Sequence, residues 1–575
     1  MVKRDVIVLG INDGHDAGAA LVKNGQVLAA VHEERLNNIK HFTGVPEKSI
    51  YEVFHIAKIH PSEVNLISLA SFVDDSIYFR PKTYGFKTKA LIQLGLTLHS
   101  DRFLQFCMNY VKKYRTFKEL KDIFEKLDLS GTEIAIVEHH TAHAAAAYRN
   151  SPWGYNNQDA LILTADGSGD GLSSTVNIAK NGSIERIAFS SLYHSIGNAF
   201  YSEITRFLGL KPWDHESKVM GLAPYGKAGY CIEEIRKMIR IHPNKPLCFQ
   251  NTTGAIAAKV QPKLRRLLVN QRFDNIAAAA QQHLDDLMKK WVENAIQATS
   301  INRIAFAGGI FLNVKTNKTL REMDLIDDVF FYPAPDDEGL PVGAALQGYY
   351  EYCKRDGIQW EYASIGETYY GSSYSDEEIK QILNSNSKFK YGYYDDIDGI
   401  AGELLCNGMI LARFNGRGEW GPRALGNRSI LADPRDMRVI HKINFAIKQR
   451  DFWMPFAPSL LEERKEDYLV NSEFAPYMIL SFDSTEEGDK IPATIHPYDR
   501  TCRPQTVRSE WNPNYYKIIK AFESATGIGA VLNTSFNLHG YPMVGTPEMA
   551  LWTFENSKLD ALAIGNYLVT KNSIQ

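Results

Sequence analysis

A chain of 575 residues exceeds what one hydrophobic core organises, so about two to four domains are expected. Hydrophobic residues at 44% and charged residues at 23% fit an ordinary folded protein and exclude a disordered or fibrous one. Lys plus Arg at 64 against Asp plus Glu at 67 leave a net charge of -3, which supplies no general field for nucleic acid or an anionic membrane, so any anion site is local.

The first apolar run, Val6 to Leu9, is too short for a signal-peptide core. With a polar glycine turn and a second apolar stretch, Ala19 to Val22, it predicts a hairpin. Residues 76 to 125, rich in aromatic and basic side chains, read as a helical insertion without a legible role. His139 and His143 follow, and on a helix their spacing puts both imidazoles on one face. A shared metal and an ordinary structural pair both fit that spacing. His140 points about a quarter-turn away, to a supporting or capping role.

Ala160 to Ala165 predicts a strand ending at Asp166 in a glycine-rich turn, with a further strand at Ser174 to Ile178. This repeats the order seen at the N-terminus. It fits either two ordinary hairpins or a duplication that clasps phosphate between two halves. A long helix is expected over 274 to 298, then a strand, Ile304 to Ala307, broken at Gly308 and Gly309 and continuing to Asn313. Such a glycine pair lets a nucleotide approach the backbone closely. Asp337 sits at a further strand-to-helix corner, Pro335 to Gly339. Two histidines with Asp166 and Asp337, and no thiolate, make a candidate set for Fe(II), Mn(II) or Zn(II) with positions left for phosphate or acceptor oxygen.

A boundary is expected between about 350 and 372, giving a first domain over 1–355 and a second over 370–575. Ser375 to Glu378 has capping-box spacing and opens the second. There Arg417, Arg423 and Arg428 crowd a glycine-rich stretch, Asn415 to Ser429, as either an anion site or a solvated basic loop. Lys448 and Arg450 on the next predicted helix, and Arg503 and Arg508 around Gln505 to Val507, are placed to complete such a pocket. Asn533 to Asn537, with Ser535, follows the strand Ala530 to Leu532, where ligand contacts and turn chemistry are both usual. The six cysteines are scattered, as in a reducing compartment, and no run of about eighteen apolar residues exists, so a soluble cytoplasmic protein is expected.

Taken together, these stretches resemble the O-carbamoyltransferases that modify nodulation factors, cephalosporins, aminoglycosides and related natural products. The resemblance covers nearly the whole chain. It rests on Gly14 to Ala20, Glu33-Glu34-Arg35 with Lys40-His41, His139 to Ala144, Lys218 to Gly226, Gly421 to Leu431, Pro455 to Pro458 and Leu532 to Asn537. It implies an α/β chain: a duplicated actin/sugar-kinase-like domain, similar to the protein that transfers threonylcarbamoyl to tRNA, then a YrdC-like α/β domain. It implies iron on His139, His143, Asp166 and Asp337, His15 as general base, and carbamoyl phosphate on Arg423, Lys448 and Arg503. Met454 stands where some members carry Arg before Pro-Phe-Ala-Pro, and Arg450 is the residue nearest to compensate.

The expected reaction converts carbamoyl phosphate and ATP, with Mg2+, to carbamoyl-adenylate and moves the carbamoyl group to a hydroxyl of a small natural product. In that scheme Gly308, Gly309 and Asn313 hold adenosine and Lys218 steadies an oxygen. Arg417, Arg428, Arg450, Asn533 and Ser535 join the carbamoyl-phosphate pocket. Transfer to tRNA is disfavoured by the charge balance, and an actin-like scaffold leaves the paired histidines and the arginine cluster unexplained. A homodimer is expected if the inserted helices leave an apolar face uncovered.

Overall fold

The computed structural model describes residues 5–72, 118–448, 451 and 453–571, apart from the side chains of residues 118 and 446. The insertion expected over 76–125 therefore lies largely outside the described residues, and its end is the helix Lys118–Lys126. Arg450 also lies outside them. The chain divides into two compact units. Unit 1 holds the described residues up to Glu33 and from His41 to Ile365, and unit 2 holds Glu34–Lys40 and the described residues from Gly366 onward.

Unit 1 is one architecture built twice. Its first sheet joins β1 (Ile7–Asn12), β2 (Gly18–Lys23), β3 (Gln26–His32), β4 (Leu66–Ala70) and β5 (Glu133–Val137) in the order β3-β2-β1-β4-β5. The first three run antiparallel, while β4 lies parallel to β1 and β5 parallel to β4. The second sheet uses β6 (Ala160–Gly169), β7 (Leu172–Lys180), β8 (Ser183–Ser191), β11 (Arg303–Ala307) and β12 (Asp328–Phe331), with a separate hairpin, β9 (Ile239–His242) and β10 (Lys245–Asn251), between β8 and β11 in the chain. Read from β8, its order and senses repeat those of the first sheet. This twofold order is the duplicated actin/sugar-kinase plan, and it decides for duplication over two unrelated hairpins. β1 and β4 are buried along their whole length, which is why they read as continuous apolar runs.

Two helices carry the site. His139–Asn150 and Leu340–Asp356 pack in unusually close contact, since a Cβ on Gly343 would lie 2.0 Å from the Ala142 carbonyl. Small residues along the first of them, Ala142 and Ala144 to Ala147, allow that approach. The 27-residue helix Phe273–Thr299 matches the expected span. Asp166 differs from expectation in one respect: it lies inside β6, whose pairing with β7 breaks register between Ala165 and Gly169, and the turn comes at Asp170 and Gly171.

Unit 2 is a mixed sheet of eight strands in the order β13-β22-β21-β14-β15-β20-β16-β19. They are β13 (Phe389–Tyr393), β14 (Leu411–Phe414), β15 (Arg428–Ala432), β16 (Ala457–Leu461), β19 (Gln505–Val507), β20 (Ala530–Ser535), β21 (Ala561–Ile564) and β22 (Tyr567–Lys571), with β17 (Phe482–Asp483) pairing β18 (Thr501–Cys502) apart from it. Ser375 and Glu378 form the expected capping box at the helix Asp376–Asn384. The short segment Glu34–Lys40 belongs to this unit because the Arg35 guanidinium donates to the carbonyls of Glu419 and Gly421. Among the described residues no helix is long and apolar enough to cross a membrane.

Candidate active site

The heads of two helices and the middle of one strand meet in unit 1. His139 and His143 come from one helix face, Asp166 from β6, and Asp337 from the turn that opens Leu340–Asp356. One ligand atom from each of the four lies within 4.8 Å of all the others. His139 Nε2 is 3.1 Å from His143 Nε2, 3.0 Å from Asp166 Oδ2 and 3.4 Å from Asp337 Oδ1. His143 Nε2 lies 3.7 Å and 3.5 Å from the same two oxygens.

These separations are those of neighbouring ligands about 2.0–2.2 Å from one cation, which stand roughly 3.0–3.5 Å apart. All four side chains are buried. Two carboxylates facing two imidazoles amount to a buried charge that a divalent cation neutralises, and N/O donors without thiolate suit Fe(II), Mn(II) or Zn(II). With protons alone, burial works most strongly against the charged form of His139, but the Asp337 charge together with the hydrogen bond and charge of Asp166 outweighs it and lifts that imidazole to about 9.

The surroundings aim these groups. Asp170 accepts from the backbone N–H of His139, and Glu138 accepts from that of Thr141, so the helix starts doubly capped with His139 at its head. Ser71 Oγ lies 3.1 Å from His139 Nδ1 and fixes the ring that presents Nε2 inward. His140 turns away to Thr164 Oγ1 at 2.8 Å, and burial pushes it down to about 3, the supporting role its spacing suggested. Gly169 leaves room for the His139 ring, which a Cβ there would meet at 2.1 Å.

His15 lies beside this set. Its Nδ1 is 2.9 Å from Asp16 Oδ2, while Asp16 Oδ1 is 2.8 Å from His41 Nδ1, and the two rings stack at 5.5 Å. Asn12 donates to the carbonyls of both His15 and Asp337, tying the two groups together. Burial opposes charge on His15, yet Asp16 first and then Asp337 and Asp336 raise it well above the usual imidazole value. Asp16, although buried, is held well below the carboxylate range by His15 and His41. A carboxylate on Nδ1 leaves Nε2 to handle a proton.

The nucleotide residues look different from their expectation. A Cβ on Gly308, at φ 105, would lie 2.2 Å from the Ala165 carbonyl, and one on Gly309 would meet the carboxylates of Asp336 and Asp166. Their N–H groups donate to the Pro335 carbonyl and Asp166 Oδ1. The glycine pair is thus explained by strand contact and by seating Asp166, rather than by room for a ligand. Asn313 caps the helix Val314–Arg321 and exchanges hydrogen bonds with Gln281. Lys218 lies on the helix Glu216–Leu222.

In unit 2 the glycine and arginine stretch folds around a buried carboxylate that sequence reasoning passed over. Glu419 Oε1 accepts from the N–H groups of Leu425, Asn427 and Arg428. Arg428 is corrected from phosphate ligand to structural cation. It is 1% exposed, donates to the carbonyls of Asn415, Asn427, Ser372 and Gly416, and stacks 3.7 Å over the Phe414 ring. Arg417 spends donors on the Tyr370 and Gly371 carbonyls. Asn533 is likewise corrected: it is buried, donating to Ala424 O, Ser459 Oγ and Gln505 Oε1. Lys448, by contrast, meets Ser535 and Asn537 at the end of β20, bringing together two expected ligands. Arg423 and Arg503 are half-buried.

Fold and ligand set define an α/β enzyme of the actin/sugar-kinase class with a buried centre able to hold a divalent cation. Two family models match, described as carbamoyltransferase N-terminus over residues 7–346 and carbamoyltransferase C-terminus over 402–571. The chain is 32% identical to an uncharacterized protein of Methanocaldococcus jannaschii, covering 98% of this chain and 100% of that one, and 30% identical to nodulation protein NolNO of Sinorhizobium fredii, covering 97% and 79%. Among solved structures, HypF of T. kodakarensis aligns at 13% identity and a TM-score of 0.35 over 60% of this chain and 48% of that one. The chain belongs to the carbamoyltransferase family and is a carbamoyl-transferring enzyme.

Proposed function

We propose that the protein transfers a carbamoyl group from carbamoyl phosphate, by way of carbamoyl-adenylate, to a hydroxyl of a small natural product. The observation that carries this reading is the convergence of His139, His143, Asp166 and Asp337 beside the His15–Asp16 pair, in a chain of this family. In unit 2, a YrdC-like domain by resemblance, Lys448 with Ser535, and Arg423 and Arg503, bind carbamoyl phosphate as ATP with Mg2+ forms the mixed anhydride. Carbamoyl phosphate, ATP and one water give carbamoyl-adenylate, phosphate and pyrophosphate. Cationic side chains offset the phosphate charge throughout.

In unit 1 the acceptor hydroxyl is a weak nucleophile until its proton is taken. In its neutral form His15 Nε2 takes that proton, and Asp16 on Nδ1 holds the ring and stabilises the charge it gains. AMP leaves as the new C–O bond forms. A divalent ion on His139, His143, Asp166 and Asp337 supplies Lewis-acid polarisation and a charge for phosphate oxygen. Adenosine is held at the corner after β11, beside Gly308, Gly309 and Asn313, and Lys218 steadies an oxygen.

The test combines the protein with ATP, carbamoyl phosphate, Fe(II) and a panel of alcohols. The expected product is an alcohol in which CONH2 replaces one hydrogen, seen by mass spectrometry. Exchange of pyrophosphate into ATP should depend on carbamoyl phosphate and survive His15→Ala, which abolishes transfer. Absence of both product and exchange from the unaltered protein would sink the proposal.

A further inference from the structure

Asp16 meets two imidazoles, and only one of them, His15, has a part in the chemistry above. The other is His41, which lies 25 positions further along the chain than Asp16. Backbone hydrogen bonds bring the two segments together, from the Ala17 N–H to the Phe42 carbonyl at 3.0 Å and from the Gly44 N–H to the Gly14 carbonyl at 3.3 Å. Asp16 at φ 49 and His41 at φ 52 both stand in the left-handed region, a costly conformation that persists only where its surroundings enforce it.

The pairing has a fixed polarity. Asp16, held well below the carboxylate range, is ionised and only accepts, so each imidazole donates its Nδ1 hydrogen: His41 to Oδ1 at 2.8 Å and His15 to Oδ2 at 2.9 Å. A carboxylate held on one oxygen swings easily about its Cβ–Cγ bond. A second imidazole on the other oxygen stops that swing. Charge supplies a further reason. Burial opposes charge on His15, but Asp16, Asp337 and Asp336 outweigh it and favour the protonated ring, which has no lone pair to offer. The His41 N–H takes up part of the attraction of Asp16. On its far side His41 Nε2 is 3.5 Å from Asp214 Oδ1, and Asp214 meets Lys211 at 3.1 Å and His215 at 3.9 Å.

We propose that His41 is a positioning residue for the transfer step, acting through Asp16: it fixes the carboxylate that orients His15 and shares its charge, so that His15 serves as a base. This deepens the carbamoyl-transfer reading and rests on it for the step that His15 performs. The competing arrangement is an ion shared by His15, Asp16 and His41, since one ligand atom from each lies within 4.8 Å of the others. Separations of 2.8 and 2.9 Å, one to each oxygen, are those of hydrogen bonds and favour the pairing.

The test follows the His15 ring by NMR titration of the zinc-loaded full chain carrying 13C-labelled histidine, independently of turnover. The His15 signal is assigned by its loss in His15→Gln. His41→Ala should raise the pH at which His15 gives up its proton by about one unit, a change that a merely structural role would not produce. The same shift is expected of His41→Gly, which carries no strain at a positive φ and so decides the matter if the alanine variant folds poorly. His41→Asn keeps an N–H near the Nδ1 position and suits the left-handed backbone, so it should reverse most of the shift. Zinc content should match the wild type in all three variants. A His15 titration unchanged or lowered without the imidazole, a shift in His41→Asn as large as in His41→Ala, or one zinc fewer overturns the assignment. The expected shifts, found without carbamoyl-phosphate-dependent pyrophosphate exchange in the wild type, would uphold the positioning role and count against the carbamoyl-adenylate reading alone.

Discussion

Arg428→Lys separates a structural cation from a phosphate ligand at one position. The guanidinium holds four carbonyls at 2.8, 3.0, 3.0 and 3.1 Å and its carbon lies 3.7 Å from the centre of the Phe414 ring. It keeps its charge against burial, which draws it down to about 10. A lysine ammonium has three donors on a flexible stem and no planar fork, so it reaches at most two of these carbonyls. Two buried carbonyls lose charge-assisted partners, each worth about 1.5–3 kcal/mol, for a total near 4 kcal/mol. In a unit of this size that lowers the melting temperature by roughly 10 °C. Calorimetry should show the shift, with the two units allowed separate transitions. The KM for carbamoyl phosphate, measured well below that melting temperature, should move less than about threefold. A variant that melts like the wild type but has a KM raised about tenfold would refute the structural assignment and return Arg428 to the ligand pocket.

Further tests address the remaining groups. His139 is raised from 6.5 to about 9, so protonated it stabilises the metal-free fold fully below pH 6.5, and that contribution fades as pH climbs toward about 9. Chelator-treated protein should therefore lose melting temperature across that interval, and saturating Fe(II), Mn(II) or Zn(II) should restore it; a flat profile would contradict the argument. Ser71→Ala removes the group that orients His139 and should weaken metal binding about 10- to 100-fold in equilibrium dialysis, without altering the melting temperature of chelated protein. Lys448→Met keeps the buried stem and deletes the charge beside Ser535 and Asn537, so pyrophosphate exchange should show the KM for carbamoyl phosphate raised by at least about tenfold.

Much of the site was readable because local geometry repeats. An i, i+4 histidine pair shares a helix face in any context, and the twofold recurrence of strand, acidic glycine turn and strand is the trace of the two sheets. Asp166 and Asp337 were legible as acidic corners of the chain, and resemblance to the family supplied His15 as general base. What could not be read was which polar groups the fold would consume. Arg428 and Arg423 lie in one motif, yet the first is fully buried among carbonyls and the second is half-buried. Asn533 and Ser535 are two apart on β20, so their side chains leave on the same face but at different depths, one into the core and one at the strand end toward Lys448. Ser71 gave no usable signal, because its role arises from His139, far away in the chain, and Glu419 was hidden among the more conspicuous arginines of its own motif.

The amino-acid order alone established the α/β class, the family and the paired histidines, since helix and strand periods and glycine turns are properties of neighbouring residues. Tertiary packing alone decided that helices 139–150 and 340–356 approach closely enough at Gly343 for their heads to bring His139 and Asp337 within 3.4 Å. It likewise assigned some arginines and asparagines to hold the backbone, because a buried carbonyl without a donor costs more than any distant ligand returns.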